Sequence, residues 1–454
     1  MAAVAGASSV APAGVGAAAP AEREIRIRAV ASNFERNPLI RPFGFKGGYM
    51  REIWQAVARL ESESGASAVA IGTQSVLWSD GAVFASHSES GGNALMYAMT
   101  ERALQMARGR SFRRPEELLD QLYPEVHDYG RQITGRKDLR PTFALNALMA
   151  VDNAAWLLYA RENGFRTFDE MIPPEYRPAL PRRHRKLAAI PLMAYALPVE
   201  EVRAAAQQGY FFMKIKIGQP GTQEEMLEKD KARLSAIHAT LGPLRTPHTK
   251  TGRFPYFFDA NGRYETKDAF LRLLDHARKI GAFDQIALIE EPFSEESDID
   301  VRDIPVPLGA DETAHTDRHA VERIERGYRV IVVKPIAKTL SMTLRVVRAA
   351  AARNVPCFCA DLTVHPILVD WNKNVAARLE PIHGLDVGLL ESNGHQNYRQ
   401  WEEMRQHHPC FGAPWTVMRD GFYELDDDFY ARSGGIFEPS PHFADMTAPP
   451  AGAH

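Results

Sequence analysis

From about Ile190 onward, short β-branched or aromatic runs alternate with helical stretches eight times, and this constrains the fold more than any other feature. The runs begin near Ile190, Tyr210, Tyr256, Ala287, Pro307, Val330, Pro356 and Leu385. Helical patterns such as EEVRAAAQQ, EEMLEKDKARLSAIHATLG, KDAFLRLLDHARKI and SMTLRVVRAAAARN follow most of them. Alternating β and α units with short connections imply parallel strands. Eight units, with no glycine-rich dinucleotide fingerprint after the first strand, imply a closed barrel rather than an open sheet. The working face of such a barrel is the C-terminal end of its strands.

Three acids stand at such ends: Asp259 in YFFDANGRY, Glu290 in ALIEEPF and Asp311 in PLGADET. A lone acid at a strand end is most simply a helix cap or an ion-pair partner. Three on consecutive strands converge, and convergent buried carboxylates need a cation to offset their desolvation. Oxygen ligands of this kind suit Mg²⁺. Because side chains alternate along a strand, one of each adjacent acid pair faces inward. Glu290 and Asp311 are assigned inward, with Glu291 and Glu312 behind them, and Asn261 shares the face of Asp259. Lys214 and Lys216, two apart in FFMKIKIG, share a face. Lys334 ends the run VIVV. Strands two and six lie across a barrel from each other, so Lys216 and Lys334 would oppose each other as proton carriers around the metal. The simpler alternative is that these lysines only balance the acids.

The ordered series KIK (214–216), FFDAN (257–261), IEEP (289–292), GADET (309–313) and VVKP (332–335) resembles the enolase superfamily, in its muconate-lactonizing-enzyme-like branch. The resemblance implies a modified (β/α)7β TIM barrel under an N-terminal α+β capping domain. It implies Asp259, Glu290 and Asp311 as Mg²⁺ ligands, Lys216 and Lys334 as acid/base catalysts, and Lys214 as a neutraliser of the substrate carboxylate. The expected reaction is abstraction of the proton α to a carboxylate through an enediolate, in a racemase or epimerase. A dehydratase of a hydroxy or sugar acid is the alternative; a cycloisomerase, a Schiff-base aldolase and an inactive binding protein rank lower. The chain departs from the pattern in four places. Residues 243–255 lengthen the approach to Asp259. IAKTLS follows Lys334 in place of a Lys-Thr/Asn-Gly-Gly turn. LLESNG stands where dipeptide epimerases carry Asp-x-Asp, and CADLTVHP lacks the turn of the cycloisomerases. Neither a dipeptide substrate nor lactonization is favoured. Asp361, His365 and Glu391, after strands seven and eight, are candidate substrate contacts, together with Asn261 and Lys214.

Ahead of the barrel, EIRIRAVASNF and SAVAIGTQSVLW look like strands with REIWQAVARLESESG between them. Residues 92–165 are mostly helical. The Pro- and Gly-rich stretch 37–48 reads as a mobile loop that carries Arg41 and Lys46 toward a distal anionic group of the substrate. Residues 1–22 are expected to be a disordered tail rather than an export signal, since they lack a basic start and Pro and Gly interrupt them. The expected boundaries are 23–185 for the cap, 186–394 for the barrel, and 395–454 for a segment packing back on the cap. A net charge of −3 without a basic block argues against nucleic acid as a partner. No apolar run approaches the ~18 residues of a membrane span. Three cysteines argue for a reducing, cytoplasmic setting rather than a disulfide framework. A small carboxylate substrate and a homo-oligomer complete the expectation.

Overall fold

The computed structural model describes residues 22–45, 48–195 and 197–448. Nearly all of the expected tail, and Lys46, lie outside the described residues.

The cap is a four-stranded antiparallel sheet under helices. Its strands are β1 (Ile25–Phe45), β2 (Gly48–Ser62), β3 (Ser67–Gln74) and β4 (Ser111–Phe112), in the order β3-β2-β1-β4. The stretch expected to be a loop is instead the tip of the long β1–β2 hairpin. Pairing is regular from Ala29–Glu61 to Pro38–Glu52, breaks, and resumes at Phe43–Met50. Pro38 and Pro42 cannot donate to a ladder, so the irregularity falls between them. Beyond it Phe45 is buried while Arg41 stays exposed.

Within the stretch 92–165, which reads as mostly helical, two helices, Pro141–Ala147 and Met149–Asn163, are bent by 51°. The bend lets Asn146 donate to the Thr73 carbonyl at 2.8 Å and accept from the Ser75 N–H at 2.9 Å, so β3 sets the break. Gly72 of β3 makes room for the second helix: a Cβ there would meet the Ala150 nitrogen at 2.6 Å. Among the described residues no single helix is long and apolar enough to cross a membrane.

The barrel strands are β5 (Lys186–Ile190), β6 (Leu192–Met193), β7 (Lys214–Lys216), β8 (Tyr256–Asp259), β9 (Ile286–Glu290), β10 (Leu308–Ala310), β11 (Val330–Val333), β12 (Cys357–Cys359) and β13 (Gly388–Glu391). From β6 to β13 each pairs in parallel with the next. β5 and β6 are one barrel strand interrupted at Pro191. β5 pairs with β13 and β6 with β7, which closes the ring. Proline lacks an N–H, so the ladder changes partner there. The C-terminal segment contributes a hairpin, β14 (Met418–Arg419) and β15 (Phe422–Glu424), whose second strand runs antiparallel against β5. Its other parts reach the cap: Arg399 N–H donates to the Pro38 carbonyl, and Asn33 donates to the Met446 carbonyl.

The strands are short and buried throughout, as a filled barrel requires. The insertion at 243–255 bridges to Leu385 through Thr249, ahead of β13. It therefore packs at the N-terminal end of the strands, away from the acidic residues.

Candidate active site

In the parallel ladder Lys216 stands beside Asp259, and Asp259 beside Glu290. Adjacent tips on one ring thus bring the first lysine and two acids together. Lys216 Nζ lies 2.5 Å from Asp259 Oδ2 and 2.6 Å from Asn261 Oδ1. Lys214, two residues earlier and on the same face, lies 2.7 Å from Glu290 Oε1, 3.1 Å from Asp259 Oδ2 and 3.3 Å from Glu391 Oε2. Burial acts to lower the Lys214 ammonium, but Asp259, Glu290 and Glu391 outweigh it and hold it well above its usual range. Burial would likewise raise Asp259, yet Lys214 and Lys216 bring it down to about 2.

Four ladder steps around the ring of eight, the end of β11 presents Lys334. Its Nζ is 2.5 Å from Asp311 Oδ2 and sits over the Trp78 ring at 4.6 Å. Lys338 is a site residue that pattern reading did not single out. It is buried, 2.5 Å from the Asp311 carbonyl, 3.2 Å from the Ala314 carbonyl and 3.3 Å from Asp311 Oδ1. Burial opposes ionisation of Asp311, but Lys334, Lys338 and Lys214 hold its carboxyl far below the usual range. The signal available in the sequence was the four-residue spacing from Lys334, one turn further along the chain.

The acids behind this row brace it. Glu291 takes a left-handed backbone, φ 42°, which turns its side chain toward the next loop. There its Oε1 accepts from Asp311 N–H at 2.5 Å and from Thr313 Oγ1 at 2.8 Å. Burial, then Glu312 beside it, raises the Glu291 carboxyl to about 8.

Glu312 was expected behind Asp311 because strand side chains alternate. The structure corrects this: β10 ends at Ala310, so alternation no longer governs either residue, and both face the cavity. Oxygens of Glu290, Asp311 and Glu312 lie within 4.8 Å of one another. Glu290 Oε2 is buried with no hydrogen-bond partner. Burial raises the Glu290 carboxyl well above its usual range. An orphaned carboxylate oxygen among converging oxygen donors fits a hard divalent cation such as Mg²⁺. Asp259 is joined to Glu290 through Lys214.

Lys214, Lys216, Asp311, Glu312 and Lys334, with Trp78, Asp361, Glu391, Asn393 and the cap residues Phe43 and Phe45, line a chamber of about 40 Å³. Phe43, Phe45 and Leu192 also line an adjoining cavity of about 1000 Å³, and Arg41 reaches only that outer space. Asp361 lines the inner chamber, but both its oxygens are taken by backbone N–H groups: Leu362 at 2.7 Å, Val364 at 3.2 Å and Asn393 at 2.7 Å. Burial, and then Glu391, raises it to about 7. His365 is not brought to the chamber. It caps the helix Pro366–Ala376, with Nδ1 accepting from Ile367 N–H at 3.2 Å, and its ring packs on Phe443. A cap position turns the imidazole back along its own helix, which is why this candidate fails.

The enolase C-terminal domain-like family matches residues 198–425, half of the chain's 454 residues. No curated protein matches the sequence. Among solved structures, a mandelate racemase/muconate lactonizing protein from Herpetosiphon aurantiacus is 16% identical with a TM-score of 0.64, covering 88% of this chain and 96% of its own. An N-succinyl Arg/Lys racemase from Bacillus cereus is 17% identical with a TM-score of 0.58, covering 82% and 89%. An L-talarate dehydratase from Polaromonas sp., complexed with Mg and L-glucarate, is 16% identical with a TM-score of 0.59, covering 88% and 93%. At these identities the likeness speaks to the fold.

Proposed function

The chain belongs to the enolase superfamily, in its mandelate racemase/muconate lactonizing enzyme group, and on that premise we propose that it is a Mg²⁺-dependent racemase or epimerase that removes the proton α to a substrate carboxylate. One observation carries this reading: Lys216 and Lys334 stand half a ring apart, each against an aspartate, with acids converging between them. Bound at Asp259, Glu290, Asp311 and Glu312, a divalent cation would act as a Lewis acid on the carboxylate and offset the charge that holds nearby lysines protonated.

The lysines move the proton. One, neutral, takes the α-proton from one face, and the other, as ammonium, returns a proton to the opposite face. Lys334 suits the donor role, since Asp311 outweighs burial and raises its ammonium. For the other hand of the substrate the roles exchange. Lys214 places a third positive charge between Glu290 and Glu391, where a substrate carboxylate would lie. Phe43, Phe45 and Trp78 line the chamber with apolar surface, and exclusion of water by them when substrate binds would strengthen each of these interactions. The outer cavity leaves room for a substrate with an extended distal portion, with Arg41 at its rim.

The test is α-proton exchange in D₂O, followed by NMR across a library of carboxylic acids. Exchange with inversion is expected, and EDTA should abolish it. Loss of a β-hydroxyl would instead make the protein a dehydratase. Borohydride trapping of substrate on a lysine, with activity insensitive to EDTA, would overturn the metal reading in favour of a Schiff-base aldolase. No exchange with any acid would favour an inactive binding protein.

A further inference from the structure

Away from the barrel mouth, three segments distant in sequence meet on the flank of the cap. Glu35 lies on β1, paired with Gln55 of β2. His407 follows the helix Trp401–Gln406, and His442 lies in the first turn of Pro441–Met446. The two histidine segments are tied together by Ser440 Oγ, which donates to the His407 carbonyl at 2.7 Å. The second is tied to the cap by Asn33, which donates to the Met446 carbonyl at 2.9 Å.

The imidazoles of His407 and His442 stack at 3.8 Å with 13° between their planes, and His442 Nε2 lies 2.8 Å from Glu35 Oε2. A simple Glu–His ion pair would account for only part of this. Glu35 Oε1 and His407 Nδ1 are both buried and have no hydrogen-bond partner. Buried polar atoms without partners are rare and ask for a ligand. One donor atom from each of the three residues lies within 4.8 Å of the others.

We propose that Glu35, His407 and His442 form a second metal site, for a first-row transition ion such as Zn²⁺, which staples the cap hairpin to the C-terminal segment. Two imidazoles and a carboxylate form a donor set suited to zinc, with ligand distances of about 2.0–2.2 Å. Coordination would draw the three atoms closer than their present spacing within 4.8 Å and tilt the two stacked rings toward one ion. The partial exposure of His442 leaves a fourth position open to water. Mg²⁺ avoids imidazole, so the two sites differ in the ions they take.

The full-length protein, stripped with a chelator and then saturated with Mg²⁺ to fill the carboxylate site, should retain one Zn²⁺ per chain in equilibrium dialysis with elemental analysis. His407→Ala and His442→Ala should each weaken that zinc at least about tenfold. Glu35→Gln, which preserves shape and hydrogen bonding, should do the same while remaining folded. Zn²⁺ should raise the melting temperature of the wild type and leave that of Glu35→Gln unchanged. If the wild type retains no zinc, or if Glu35→Gln binds it as the wild type does, the proposal is overturned. Zinc that is lost in Asp311→Asn but kept in His407→Ala would overturn it as well, since the ion would then sit at the barrel mouth.

Discussion

The Lys216 and Lys334 halves of the site share a plan and differ in what supports them. Each sets a lysine 2.5 Å from an aspartate, with a second buried lysine close by. On the Lys216 side the groups come from the barrel: β7, β8 and the turn after β8, with Glu290 of β9 and Glu391 of β13 against Lys214. On the Lys334 side the cap takes part. Trp78 lies against the ammonium, and the first turn of the next helix, Leu340–Ala351, hydrogen-bonds to the cap. Asp152 accepts from Ser341 N–H at 3.1 Å and Ser341 Oγ at 2.5 Å, and Trp156 donates to the same hydroxyl at 3.0 Å. One half of the site is thus held by the barrel alone, the other by the seam between barrel and cap.

The largest effect expected from this contrast is the loss of either base. Lys216→Ala and Lys334→Ala should each slow α-proton exchange by about 10²–10⁴-fold, and each on one hand of the substrate only. Exchange measured separately on the two enantiomers decides this. If either variant slows both hands equally, the lysines do not act from opposite faces.

The seam predicts a pH dependence of stability. Burial pushes Asp152 up to about 6 from 3.8, despite its bonds to Ser341. A carboxyl that is easier to protonate when folded stabilises the fold fully below its unfolded value, and that contribution fades as pH rises through about 6. The span is on the order of 3 kcal/mol. Urea midpoints should therefore fall more steeply between pH 4 and 7 in the wild type than in Asp152→Asn. Parallel curves would mean that this carboxylate does not govern the seam.

Lys338 is the next test. Lys338→Met keeps much of the side-chain volume but leaves the Ala314 carbonyl without its donor and takes the ammonium from the Asp311 carbonyl and carboxylate. Exchange through Lys334 should drop about 10–100-fold, given about 1–3 kcal/mol for stranded buried acceptors. Exchange through Lys216 should change less, and an equal loss on both hands would erase the distinction between the halves. The smallest effect belongs to Trp78→Leu. It removes a cation–π contact worth about 0.5–2 kcal/mol, so the Lys334 hand should change by several-fold and the Lys216 hand should not.

Much of the barrel could be read in the sequence, because its information is local. The period-two runs, the helical stretches between them and the acids at their ends each occupy a few consecutive residues. What misled the reading was rarely local. The stretch 37–48 has loop composition, yet pairing with β2 carries it as strand to Phe45. Residues 92–165 read as mostly helical, but the bend between Ala147 and Met149 follows from the Asn146 bonds to Thr73 and Ser75. Glu312 was judged by a strand rule that stops applying once β10 ends at Ala310. His365 shares a short segment with Asp361, but capping its own helix turns it away from the chamber.

By itself the sequence determined the strand order, and with it the opposed lysines and the row of acids, because a ring of parallel strands turns order along the chain into position around the mouth. Only the tertiary structure decided which atoms meet. Lys214 links Asp259 to Glu290, Lys338 clasps the Asp311 turn, and Trp78 comes from the cap to cover Lys334. Residues so far apart in the chain meet only when burial and ion pairing across elements fix their rotamers, and no sequence period records those contacts.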